Sequence, residues 1–275
     1  MSGGRLLLDG VGKAYRAGGS PVVAVEDFSL DIGAGDFHVL VGPSGCGKST
    51  LLGAVAGFTD ITSGRIELDG KKLCGPELPT ADIGPDRVVV FQDSTLFPWY
   101  TVAENVSYGL TAQRRVGRSQ AARIAAERLH AVGLGDIADR YPGELSSGVQ
   151  RRVEILRALA MEPSVLLLDE PFRGMDAISR AAMHDALLHS YDTSAVTVLF
   201  ITHDIEEAVY LGSRVTVMTT RPGRVKTTIN IPMARPRDRG IVTTPQFREL
   251  VGEVSAAVRD EARHAFEAGE REVIR

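Results

Sequence analysis

Two hydrophobic patterns alternate along the chain. Short unbroken apolar runs, "DFHVLV" (36–41), "RVVVFQ" (87–92), "SVLLLD" (164–169) and "VTVLFIT" (196–202), read as buried strands. Between them, apolar residues recur at helical spacing in "KSTLLGAVAG" (48–57), "TVAENVSYGL" (101–110), "SQAARIAAERLHAVGL" (119–134), "VQRRVEILRALAM" (149–161) and "SRAAMHDALLHSY" (179–191). Upstream, "LLLDGVGKAY", "VVAVEDFSLDIGAGDFHVLV" and "GRIELDG" give strands broken by Gly-containing turns, which predicts a β-rich lobe. "SRVTVMTTRPGRVKTTINI" predicts a last strand pair turning at "RPGR", and "ARPRDRG" (234–240) reads as a polar linker. Beyond it Phe247, Leu250, Val251, Val254, Ala257 and Val258 mark an amphipathic helix. The expected class is α/β, with a main domain over 1–230, a helical subdomain at about 95–160, and a linker plus C-terminal amphipathic helix over 231–275.

The first strand–helix junction carries "GPSGCGKST", that is Gly42, Pro43, Ser44, Gly45, Cys46, Gly47, Lys48, Ser49 and Thr50. The stretch fits G-x-x-x-x-G-K-[ST], a P-loop whose backbone N–H groups cradle phosphates. Glycines let that backbone approach a ligand without a Cβ clash. Lys48 then reaches the terminal phosphates, and the Ser49 hydroxyl binds Mg²⁺. Cys46, beside a lysine and a helix N-terminus, has the setting of a reactive thiolate.

Four further positions gather at strand ends. "SVLLLDEP" delivers Asp169 and Glu170 to the C-terminal end of a buried strand, where open α/β sheets bind ligands. Beside a phosphate site, Asp169 suits Mg²⁺ and Glu170 suits polarising the attacking water. Gln92 and His203 close two other strands in the same way, although a lone glutamine or histidine is more often merely polar. Tyr15 reads on its own as a core tyrosine, or else as a ring for a base to stack upon. Phe97, Trp99 and Tyr100 in "LFPWYTV" read either as core or as a surface patch for a partner helix.

"GELSSGVQRRVEILRAL" opens a helix at a Ser-Ser-Gly turn and so makes a second anion-binding device, unless it is an ordinary N-cap. Two phosphate cradles in one chain make sense in a dimer that sandwiches each nucleotide between one subunit's P-loop and the other's Ser-Ser-Gly turn.

Composition narrows the partners. The 275 residues carry net charge -4, which gives no electrostatic case for nucleic acid. No apolar run approaches the roughly 20 residues of a bilayer span, and the start lacks a secretory leader, so the expectation is a cytosolic protein. Cys46 and Cys74 form no metal-ligand pattern.

The ordered set "GPSGCGKST", Gln92, "LSSGVQRR", "VLLLDEP", Met175–Asp176 and His203 resembles the ATP-binding cassette (ABC) ATPases over residues 5–225. "VFQDSTLFPWYTVAENV" and "ITHDIEEAVYLGSRVTVMTTRPGRV" look more narrowly like the ATPase subunits of nitrate/sulfonate/taurine-type importers. The resemblance implies a P-loop NTPase core with an antiparallel β lobe and a helical signature subdomain. It implies ATP and Mg²⁺ as ligands, a homodimer or heterodimer of ATPase subunits, and a separate integral membrane permease served by a solute-binding protein. The ATPase would lie peripherally on the cytoplasmic face of the membrane. Residue by residue, Tyr15 would stack the adenine and Gly42–Thr50 would hold the phosphates. Ser49, Gln92 and Asp169 would serve the metal, and Lys48, Glu170 and His203 the hydrolysis. Ser146, Ser147, Gly148 and Gln150 would face the partner's ATP, and Asp176 would lie in the dimer loop. A soluble ABC machine would usually carry two cassettes or a coiled-coil insertion, and a GTPase an N-K-x-D motif; the chain has none of these. Two departures stand out: Ser147 replaces a signature glycine, and "PFRGMD" is atypical before Asp176. A serine with a narrowed φ range predicts a cost on the order of 1 kcal/mol at the interface.

Overall fold

The computed structural model describes residues 3–17, 20–78 and 83–267. An antiparallel sheet comprises β1 (Leu6–Ala17), β2 (Ser20–Ile32), β4 (Ser63–Leu68) and β5 (Lys71–Cys74), in the order β2-β1-β4-β5. A second sheet has the order β10-β9-β3-β8-β7-β6. Its strands are β3 (Phe37–Val41), β6 (Arg87–Val90), β7 (Val165–Asp169), β8 (Thr197–Ile201), β9 (Arg214–Met218) and β10 (Val225–Asn230). Five of these run parallel, and β10 pairs antiparallel with β9 at the edge.

The unbroken apolar runs arise because the second sheet is covered on both faces. Leu166 and Leu168 of β7 enter one core, while Val165 and Leu167 enter the other. The period-2 alternation of a strand distributes them. On the side of the antiparallel sheet lies α1 (Lys48–Ala56), with Leu51, Leu52 and Val55 buried. Gly57 ends this helix in the left-handed conformation, as its sequence predicts. The opposite face carries α4 (Ser147–Ala160), α5 (Ala177–Ser194), α6 (Ile205–Leu211) and α7 (Pro245–Glu267).

A third core, built on Val102, Val106, Ala125, Leu129, Val153 and Leu156, holds α2 (Val102–Ala112) and α3 (Arg118–Ala131) against α4. The C-terminal segment differs from a free linker. Phe247, Leu250 and Val254 of α7 are buried in the core of the parallel sheet. Arg237, within the stretch read as a polar linker, is 8% exposed and donates to the carbonyls of Val209, Tyr210 and Gly212. A cation there meets the negative end of α6. Residues 268–275 of the expected C-terminal unit lie outside the described residues.

Candidate nucleotide-hydrolysis site

The parallel strands end at one edge, where the sequence places its chemistry. Between β3 and α1 the P-loop needs glycine by geometry: Gly47 has φ +102°, and a Cβ there would stand 2.6 Å from Val25 Cγ2. Lys48 is buried, and its ammonium donates to the carbonyls of Gly42 and Pro43, each at 2.9 Å. Tyr15 is 42% exposed rather than core, with its hydroxyl 3.4 Å from Thr50 Oγ1 and the Lys13 amine 5.1 Å from its ring centre. The geometry favours the reading as a stacking surface.

The Ser49 hydroxyl lies close enough to Asp169 to favour its ionised form, so two oxygen donors from separate elements approach each other. Burial pushes the Asp169 carboxyl up from the usual range, with Ser49 and Lys48 opposing and the Glu170 charge adding to the rise. Glu170 sits in the left-handed region at φ +44°, a conformation rare for a residue with a side chain and one that collects at functional sites. Its amide donates to the Ile201 carbonyl at 3.0 Å, fixing it beside β8. Its Oε2 lies 3.2 Å from His203 Nδ1, which brings together two of the residues expected to serve hydrolysis. Asp204, next to His203, caps α6 and pairs with Arg180 of α5 at 2.8 Å.

Gln92 follows β6. Its Oε1 accepts from Arg173 at 3.4 Å, and the same guanidinium lies 3.5 Å from Glu170 Oε2. The atypical "PFRGMD" loop therefore places a cation between two site residues, which its sequence did not signal. Asp176 caps α5 through the amides of Ile178 and Ser179, and the Ser179 bond holds its carboxyl below the usual range.

Ser146 is the N-cap of α4, accepting from the Val149 amide at 3.4 Å. Ser147 and Gly148 form the first turn of this helix. Gln150 follows in the same helix. Its side-chain amide donates to the carbonyls of Pro142 (2.9 Å) and Leu145 (3.2 Å) of its own chain, bracing the turn before the signature.

The thiolate expectation for Cys46 is overturned. The side chain is 1% exposed, and burial pushes its thiol up, outweighing the opposing Lys48 charge. Sequence reading also passed over Arg221, whose guanidinium donates to the Gly45 carbonyl at 3.3 Å. The "RPGR" turn packs on the P-loop so closely that a Cβ on Gly223 would stand 2.0 Å from the Cys46 carbonyl oxygen.

Trp99 is 66% exposed, and Phe97, Tyr100 and Tyr108 cluster with it at centroid separations of 4.7–6.2 Å. Phe58 and Phe91 stack at 5.8 Å and are also exposed. An aromatic directly after the helix-ending Gly57 was the available signal for Phe58.

Residues 25–173 match the family model described as ABC transporter. The nitrate import ATP-binding protein NrtD of Synechococcus elongatus is 40% identical over 250 residues, covering 90% of this chain and 89% of that protein. The taurine import ATP-binding protein TauB of Rhizobium johnstonii is 44% identical over 243 residues, covering 86% and 90%. A dimeric post-hydrolysis structure of the ATP-binding cassette MJ0796 bound to ADP and Pi superposes with TM-score 0.69 at 28% identity, covering 83% of this chain and all of the other.

Proposed function

We infer a mechanism from one premise: the chain belongs to the ATP-binding cassette transporter family and is the ATP-hydrolysing subunit of an importer, working as a dimer with a membrane permease. The observation that carries the mechanism is the meeting of Lys48, Ser49, Asp169, Glu170 and His203 at one sheet edge. The P-loop amides and Lys48 hold the β- and γ-phosphates, and the Tyr15 ring takes the adenine. Glu170 orients a water in line with the γ-phosphate and accepts its proton as it attacks. His203 fixes the Glu170 carboxylate through Nδ1 and, with Lys48, stabilises the charge gathering on the transferred phosphoryl group.

Ser49, Asp169 and Gln92 offer hard oxygen donors that suit Mg²⁺. Among the described residues no group of three or more His, Cys, Asp or Glu side chains is arranged to hold a metal ion by itself. Bound there, Mg²⁺ would neutralise charge on the phosphates. Ser146 to Gly148 present the α4 N-terminus to the partner subunit's nucleotide, and Asp176 lies at the same interface.

The exposed aromatics after Gln92 support a permease contact, and a solute-binding protein delivers the solute from the other side. Among the described residues no helix is long and apolar enough to cross a membrane. With the permease as its membrane partner, the subunit sits peripherally, on the cytoplasmic face. Relatives named for nitrate, bicarbonate and taurine share a small solute with an anionic group. The imported solute here is of that class. A deletion strain assayed with labelled anionic, neutral and cationic solutes tests this. Loss confined to one small anion is expected; loss of a cation or a neutral sugar alone contradicts it.

A further inference from the structure

The loop after β6 is gripped by α4 through three side chains that hydrolysis does not use. Arg151 and Glu154 form an ion pair at 2.7 Å, with side chains 8% and 1% exposed. Their remaining hydrogen-bonding capacity goes to the loop backbone. Arg151 donates to the carbonyls of Phe91, at 2.6 Å, and Gln92. Glu154 accepts from the Thr95 amide. One turn further along, Arg157 donates to the Thr95 carbonyl at 2.9 Å and its hydroxyl at 2.7 Å, and lies 5.4 Å from the Phe97 ring centre. An apolar pair at 151 and 154 would fill the same space yet hold none of these backbone groups. A buried pair is weak evidence for stability, and its attested use is to fix register.

The register fixed here joins three surfaces. Gln92 faces the nucleotide of its own subunit. Arg151 lies one turn from Gly148, at the end of α4 that faces the partner's nucleotide. Phe97 belongs to the exposed aromatic cluster. We propose that Arg151 and Glu154 are positioning residues that make the 91–100 loop and α4 a single lever. Closure of the signature turn on the partner's nucleotide then moves Gln92 and the aromatic cluster together. The inference rests on the proposed function for what each end of the lever touches.

Trp99, the only tryptophan of the chain, reports on the loop. The test uses the full chain carrying Glu170→Gln, with and without Arg151→Met/Glu154→Leu; the double change removes both charges together and so avoids a stranded buried ion. Without nucleotide, amide hydrogen exchange in the 92–97 segment should quicken by about tenfold or more in the double variant, while α1 and the C-terminal half of α4 keep their protection. With ATP and Mg²⁺, light scattering should show both proteins dimerising. Closure should shift Trp99 emission and acrylamide quenching in the parent, and lose most of that response in the double variant. Glu154→Gln, which keeps a carbonyl acceptor, should retain it.

Unchanged loop exchange, or a full Trp99 response in a double variant that dimerises, overturns the lever. A parent that never dimerises counts against the proposed function, and the exchange measurement then decides the lever by itself.

Discussion

Ser147 lies in the first turn of α4, where the backbone is right-handed helical. A serine adopts that conformation without strain, so the φ cost expected from losing a signature glycine does not arise. Only the volume of the side chain remains to affect the partner's phosphate. Ser147→Gly should therefore change the ATPase rate of the dimer by less than about threefold, under the 1.36 kcal/mol that tenfold would require. A tenfold rise would restore the strain argument, and a tenfold loss would make the hydroxyl a phosphate ligand. At Cys46, burial and the raised thiol predict slow maleimide labelling near neutral pH, at well below the rate of free cysteine, and an active Cys46→Ser protein. Rapid, ATP-protected inactivation would contradict this. These two positions mark where local reading stops. The P-loop, Asp169, Glu170 and His203 were legible because each is chemistry placed at a strand end. The helical state of Ser147 and the burial of Cys46 depend on what packs around them. Arg173 and Arg221 were illegible for the same reason, since Gln92 and Gly45, which they reach, lie 81 and 176 positions away in the chain.

Among the elements, strands and helices followed the hydrophobic pattern closely, because a strand covered on both faces and a one-sided helix leave different periodicities. The segment before α7, read as a polar linker, is instead anchored through arginines 235 and 237. Their partners include backbone carbonyls, which have no sequence signature. Arg235 lies 4.6 Å from the Tyr191 ring centre and donates to the Leu211 carbonyl, while Arg237 takes three carbonyls around the end of α6. Burial pushes the Arg237 guanidinium down to about 10, still charged at neutral pH. Arg237→Met keeps the apolar stem but leaves those carbonyls without their donor. It should lower unfolding stability by about 2 kcal/mol, within the range for stranded buried acceptors. Urea titration measures this directly, and an unchanged midpoint would mean that the segment is not anchored by these bonds.

In the molecule as a whole, two half-sites lie on one chain: the P-loop edge with Glu170, and the signature turn at the α4 N-terminus. On the proposed function two copies complete two sites; a related cassette bound to ADP and Pi is dimeric. The β-rich start, the helical stretch after Thr101 and the buried parallel strands were legible from the change of hydrophobic pattern along the sequence. The division of β7 between two cores was not, and neither was the gripping of the 91–100 loop by α4. The central claim is that Glu170 drives hydrolysis within an ATP-closed dimer, and it has one direct test. Glu170→Gln, with ATP and Mg²⁺, should bind nucleotide normally, hydrolyse it roughly 10²–10⁴-fold more slowly, and run as a stable dimer by light scattering, returning to monomer with ADP. A variant that hydrolyses at the parent rate, or that stays monomeric at saturating ATP, would contradict the account.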